Sequence, residues 1–172
     1  MLISFKDLVK KYDMIITGVI HIGAHHGEDL QNYIDIDVPD MLIFEPLKTN
    51  YQDIQDMSET LRANIEGYQM ALGSQVGTST IKNEEVEVDI LDNFKSRSGN
   101  YNFININAEG SELEVLKGGM IVLNQINYVY FKNNSNVEET DEFLSEYGME
   151  RMEDFLYIKT KGETKPAKWI EK

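Results

Sequence analysis

Apolar residues along the chain fall into short β-branched runs separated by stretches with helical spacing, so strands alternate with helices. An N-terminal helix is predicted within residues 1–13, with Ser4 as its cap and Phe5, Leu8, Val9 and Tyr12 at i, i+3, i+4 and i+7. The run MIITGVIHIGA (14–24) ends in a glycine turn and has the pattern of a strand buried on both faces. Residues 28–36 predict a short helix and 41–45 a second buried strand. A helix over 47–62 follows, with Leu47, Tyr51, Ile54 and Leu61 on one stripe, and then a third strand over 65–72.

The alternating stretch 78–91 fits a hairpin or an edge excursion. A strand starting at Phe103 runs into a helix for which Ser111 and Glu114 have capping-box spacing. After a strand at 126–131, an acidic helix turns Val137, Thr140, Leu144 and Tyr147 inward and stops at Gly148. Residues 148–154 read as a short turn into a last strand, 155–159, open to an antiparallel placement, and 161–172 read as a polar tail. The alternation predicts one α/β domain over 1–160, built on a doubly wound, mostly parallel sheet with helices on both faces.

Composition narrows the chemistry. The 172 residues are 41% hydrophobic and 27% charged, as in a globular chain with one core. The absence of cysteine excludes disulfides, thiolate metal sites and a cysteine nucleophile, and suits a reducing compartment. Neither a signal-peptide pattern nor a membrane-spanning run is present, so a cytoplasmic protein without a membrane partner is expected. With 16 Lys+Arg against 30 Asp+Glu, the net charge of −14 repels polyanions, and no nucleic-acid partner is expected. A neutral or cationic ligand is easier to accommodate, and the sequence leaves the oligomeric state open.

Ligands of open α/β sheets bind beyond the carboxyl ends of the strands. The first such turn here is His21-Ile22-Gly23-Ala24-His25-His26-Gly27, in which Gly23 and Gly27 let the backbone turn and approach a ligand. About 20 residues on, Glu45 ends the second strand, where an acid can accept from ribose hydroxyls. The spacing is not that of a dinucleotide fingerprint, and Glu28 and Asp29 occupy the helix start where a pyrophosphate would dock. A phosphate-free nucleoside such as S-adenosyl-L-methionine avoids that repulsion. Three histidines crowd the turn, but His25 and His26 are adjacent and tend to diverge, so hydrogen bonding is expected and a metal is not.

GVIHIGAHHGEDLQNY, LIFEPLKTN, YQMALGSQVGTSTI, VDILDNF and ININAEGSELEVLKGG, in this order, resemble an FkbM-type S-adenosylmethionine-dependent methyltransferase. The resemblance implies the seven-stranded class I methyltransferase fold and methyl transfer to a hydroxyl oxygen of a small molecule or sugar. It implies a cofactor turn of Gly23, Ala24 and Gly27, with His21 and His25 beside it, a ribose acid at Glu45 before Pro46, and Met70 and Ala71 beside the adenine. Asp89 corresponds to the Asp of the family's Leu-Asp motif, and Glu109-Gly110 and Glu112 to its second signature. His21 stands where relatives often have Asp, and Asn107 where they commonly carry a carboxylate. Glu109, His25 and His26 are the candidate bases, and Asn107 can position an acceptor by its amide. The rival readings are a catalytically degenerate S-adenosylmethionine-binding protein with a partner or regulatory role, and a nucleotide-dependent oxidoreductase, which the glycine spacing disfavours.

Overall fold

The computed structural model describes residues 3–97 and 100–160. Its elements are α1 (Phe5–Lys11), β1 (Val19–Ile22), α2 (Leu30–Ile34), β2 (Asp40–Phe44), α3 (Lys48–Thr60), β3 (Asn64–Tyr68), β4 (Ala71–Leu72), β5 (Gly77–Ile81), β6 (Glu84–Asp89), β7 (Phe103–Ile106), α4 (Glu112–Lys117), β8 (Tyr128–Phe131), α5 (Val137–Ser145), β9 (Met149–Glu153) and β10 (Leu156–Lys159). The tail expected at 161–172 lies outside the described residues. No helix among the described residues is long and apolar enough to cross a membrane.

Seven strands form the main sheet in the order β3-β2-β1-β7-β8-β10-β9. β1, β2, β3, β7 and β8 pair in parallel, and β10 runs antiparallel to both of its neighbours. Strand alternation sends Ile20, Ile22, Ile104, Ile106, Val129 and Phe131 into one apolar cluster. Val19, Met41, Ile43, Phe103, Tyr128 and Tyr130 join the cluster on the other face. All four residues of β1 and of β7 are buried, which explains their apolar runs.

Three expectations are corrected. The stretch 148–154 is the strand β9, not a plain turn; MERME is too polar to read as a strand and is held by its ladder with β10. The predicted strand 65–72 is two strands, because the chain breaks after Tyr68 and Ala71-Leu72 pairs with β6 in a separate sheet of order β4-β6-β5. The capping box does not form: Ser111 makes no side-chain cap, Glu114 bonds the Ser74 hydroxyl and Lys117, and the Glu112 carboxylate accepts from Gly110 N. By contrast Ser4 caps α1 by accepting from Asp7 N. The 78–91 stretch is the β5–β6 hairpin, whose turn residues Lys82 and Asn83 both have positive φ, 48° and 66°.

The glycine turn after β1 is pinned on two sides. Gly23 N donates to Phe44 O of β2 at 2.8 Å, and Asn107 N donates to Ile22 O at 2.8 Å. Gly23 has φ +75°, and a Cβ there would lie 2.0 Å from the Asn107 carbonyl oxygen. The glycine therefore serves the approach of β1 to the end of β7, in addition to the turn and the ligand approach that the sequence pattern suggested. Gly23→Ala combines left-handed strain with that backbone collision, and we expect it to destabilise the fold by about 2 kcal/mol or more, read as a lowered urea midpoint.

Candidate active site

β1 and β7 pair in parallel with Ile22 opposite Ile106, so the loops that follow leave the sheet side by side. Three residues beyond each of these partners stand His25 and Glu109, and both adopt left-handed backbone, with φ 52° and 48°. Non-glycine residues seldom take that conformation, and it concentrates where surrounding structure and function hold it. Their side chains meet, His25 Nε2 lying 3.5 Å from Glu109 Oε1.

This pair lies on the wall of a cavity of about 700 Å³ at the carboxyl end of the sheet. Of the residues singled out in the sequence, Gly23, His25, Glu45, Pro46, Met70, Ala71, Asn107 and Glu109 line it together. Ala24 is buried in the opposite core cluster. Gly27, at φ +83°, faces Leu30, Ile54 and Met57 instead of the cavity. His26 is exposed, with Nδ1 2.6 Å from Asp53 Oδ2. Among the described residues no group of three or more His, Asp or Glu side chains could hold a metal ion.

Glu45 is 2% exposed and its charge is compensated on both oxygens. Oε2 accepts from His25 N at 2.9 Å, while Oε1 accepts from Leu47 N at 2.9 Å and Asn50 Nδ2 at 3.2 Å. One carboxylate thus ties the first loop to the start of α3. A carboxylate offers about four lone-pair sites, which leaves capacity for a ligand hydroxyl.

The sequence reading passed over the β4–β5 side of the cavity, where Gly73 to Lys82 form much of the wall. Their alternation announced a hairpin but gave no sign that it overhangs the sheet. It also missed Asp92, whose carboxylate accepts from the backbone of Ile121 and Val122 at 2.9–3.0 Å. Asp89, matched to the family motif, accepts from Ile90 N and Asn93 Nδ2.

His21 lies on the other face of the sheet, 1% exposed. Its Nδ1 is 3.0 Å from the Tyr33 hydroxyl, which accepts from Asn105 Nδ2 at 2.7 Å. Burial pushes the imidazole down to about 4 against the partial support of Asp29, and pushes the Tyr33 phenol well up, so both groups are neutral. An unfolded histidine binds a proton near pH 6.5, whereas the folded one waits until about 4. The neutral ring's contribution is therefore complete above pH 6.5 and is lost as pH falls to about 4, by at most about 3 kcal/mol. In ring NMR spectra we expect His21 to keep its neutral signals from pH 8 to 5; titration near 6.5 would contradict its burial.

The profile of the Methyltransferase FkbM domain matches residues 21–151. Comparison with curated protein sequences gives no match. Among solved structures, a Streptococcus pneumoniae protein described as a candidate tRNA methyltransferase superposes with TM-score 0.61 at 14% identity, covering 96% of this chain and 74% of its own. M. capricolum TrmK in complex with S-adenosyl-homocysteine gives 0.56 at 13%, covering 94% and 70%. A Streptococcus agalactiae protein of the NADB-Rossmann superfamily gives 0.57 at 14%, covering 96% and 72%. At these identities the likeness establishes the fold, that of the class I methyltransferases. The family profile spans both loops that carry His25 and Glu109, and the chain belongs to the FkbM methyltransferase family.

Proposed function

We propose that the protein transfers a methyl group from S-adenosyl-L-methionine to a hydroxyl oxygen of a sugar or small molecule, with His25 as base and Glu109 holding its ring. The observation that carries this reading is the His25–Glu109 contact between two left-handed residues on the cavity wall.

The residues fit the donor. The cavity's volume lies in the range of small-molecule sites. Its wall carries the carboxylates of Glu45, Glu109 and Glu114, and Lys82 is the cation on it. That charge suits a sulfonium and ribose hydroxyls and opposes a pyrophosphate. Glu45 would accept from the ribose, Met70 and Ala71 would flank the base, and Gly23 and His25 would face the methionine end. When bound, S-adenosyl-L-methionine supplies an electrophilic methyl group.

The chain's own work is alignment and proton removal. Asn107 can orient a hydroxyl by its amide, and His25 can take the hydroxyl proton as the oxygen is alkylated. Glu109 sits where its charge favours the resulting imidazolium. The proton taken up by His25 would then leave to solvent, which reaches the pair because the Glu109 side chain is 58% exposed.

Glu45→Ala removes the acceptor of three hydrogen bonds, and we expect S-adenosylhomocysteine to bind at least about tenfold more weakly by calorimetry. Unchanged affinity would reject the ribose role. For Glu109→Gln, which keeps the shape, we expect methyl transfer to fall roughly 10²-fold with donor affinity within about threefold. Equal loss of both would make Glu109 a donor-site residue. Tight donor binding by a wild type that methylates no hydroxylated compound would support the degenerate binding protein instead.

A further inference from the structure

We propose that the free edge of β5 binds the methyl acceptor as an added strand, and that this acceptor is a short, basic, hydroxylated peptide. The proposal rests on the methyltransferase reading above and narrows its acceptor to one substrate class.

Gly77, Thr78, Ser79, Thr80, Ile81 and Lys82 all line the cavity that carries His25 and Glu109. Successive residues of a strand point to opposite faces, so one face could supply only alternate members of that run. The unbroken run means that β5 borders the cavity by its edge. β5 is an outer strand of the small sheet β4-β6-β5, and β6 behind it contributes Val88 to the same wall.

The ladder fixes which backbone groups that edge offers. Lys82 and Asn83 both have positive φ and close a two-residue hairpin loop, so Ile81 and Glu84 are the hydrogen-bonded pair beside it. Bonded and non-bonded pairs alternate along an antiparallel ladder, which makes Ser79–Val86 and Gly77–Val88 bonded pairs too. Gly73 N donates to Asp89 O, as it must if the odd-numbered residues of β6 turn to β4. Thr78 and Thr80 therefore direct their N–H and C=O groups away from β6, to the cavity. Both residues are exposed, and they stand roughly 7 Å apart, the two-residue repeat of an extended chain. An added peptide strand meets all four groups in register. Sugar hydroxyls have no such repeat.

Charge selects the peptide. Glu87 and Glu85 stand across the ladder from Thr78 and Thr80, on the face away from buried Val86. Both are exposed, and among the described residues neither has a hydrogen bond or an ion pair. A lysine of the added strand, beside Thr78 or Thr80, reaches over the short threonine to these carboxylates. A second copy of this chain would instead bring more carboxylates to the same edge, against a net charge of −14. Residues between the lysines point to the other face, the one that Ser79 and Ile81 share. A serine, threonine or tyrosine there gives its proton to His25 as its oxygen takes the methyl group, and S-adenosylhomocysteine leaves.

The test uses the full chain and three acetylated, amidated pentapeptides, Lys-Ser-Lys-Ser-Lys and its threonine and tyrosine counterparts. We expect at least one to bind saturably and to slow amide exchange at Thr78 and Thr80 about tenfold or more. Ser79, already bonded to β6, should not change. The same peptide with glutamate for lysine should bind at least about tenfold more weakly. Thr78→Pro removes one outward N–H and no ladder bond, on an edge where proline is tolerated. It should keep the wild-type urea midpoint and bind the peptide about fivefold more weakly. Thr80→Pro gives the same reading should Thr78→Pro fold poorly. No saturable binding, binding without protection of Thr78 and Thr80, or equal binding of the glutamate peptide would overturn the proposal. So would protection already present in the free chain, as in a dimer joined through β5. Calorimetry with S-adenosylhomocysteine, run without peptide, reports the donor site separately. Donor binding and sugar methylation without peptide binding overturn this proposal alone, whereas absence of donor binding overturns the reading beneath it.

Discussion

A carboxylate buried at the carboxyl end of the sheet sets the terms for everything around it. Glu45 cannot stay charged out of water unless donors converge on it, and two of the three it finds are backbone N–H groups. One belongs to His25 in the loop after β1 and the other to Leu47 at the entry to α3. Satisfying the acid therefore fixes the path of two loops at once. His25 is held by its own amide in left-handed backbone, which is also what aims its ring across to Glu109. The proposed donor site and the proposed catalytic pair thus share one electrostatic anchor.

That anchor explains which parts of the site were legible in the sequence. Glycine followed by an acid at the end of the next strand is a local signal, and the structure brings Gly23, His25, Glu45 and Pro46 to one cavity. His21 and Ala24 belong to the same motif yet face the other way, His21 by alternation with Ile22 and Ala24 because the left-handed turn at Gly23 ends that alternation. A motif read as a string gives no facing; the pleat and the turn after it do. His26 turned out to lean on Asp53 in α3, a pairing between residues 27 apart that no spacing rule contains.

The fold was legible where burial dominates and less so where pairing does. β1, β2, β7 and β8 carry apolar runs because both of their faces are covered, and hydrophobicity alone reveals them. β9 lies at the edge of the sheet, where polar side chains are tolerated and even protective, so MERME carries no such mark. β4 is two residues long and exists only through its ladder with β6. Ser111 and Glu114 had the right spacing for a cap, but Glu114 finds Ser74 and Lys117 and is held below the ordinary carboxylate range by them. Tertiary partners took the side chain that the local rule had assigned.

The end of β7 decides which of its asparagines meets the cavity. Asn105 and Asn107 are two positions apart, so the pleat alone would give them the same face. Asn105 lies within the strand and bonds Tyr33 on the face of His21, whereas Asn107 follows the last strand residue, Ile106, and lines the cavity with His25 and Glu109. The chain is held at that point by the Asn107 N–H, which donates to Ile22 O, so β1 fixes the start of both loops. The base proposed for the His25–Glu109 pair would have little selectivity of its own, since any hydroxyl that reached it could lose a proton. Specificity would then rest on how the cavity wall aligns the acceptor, which is how a displacement that needs little chemical assistance becomes selective.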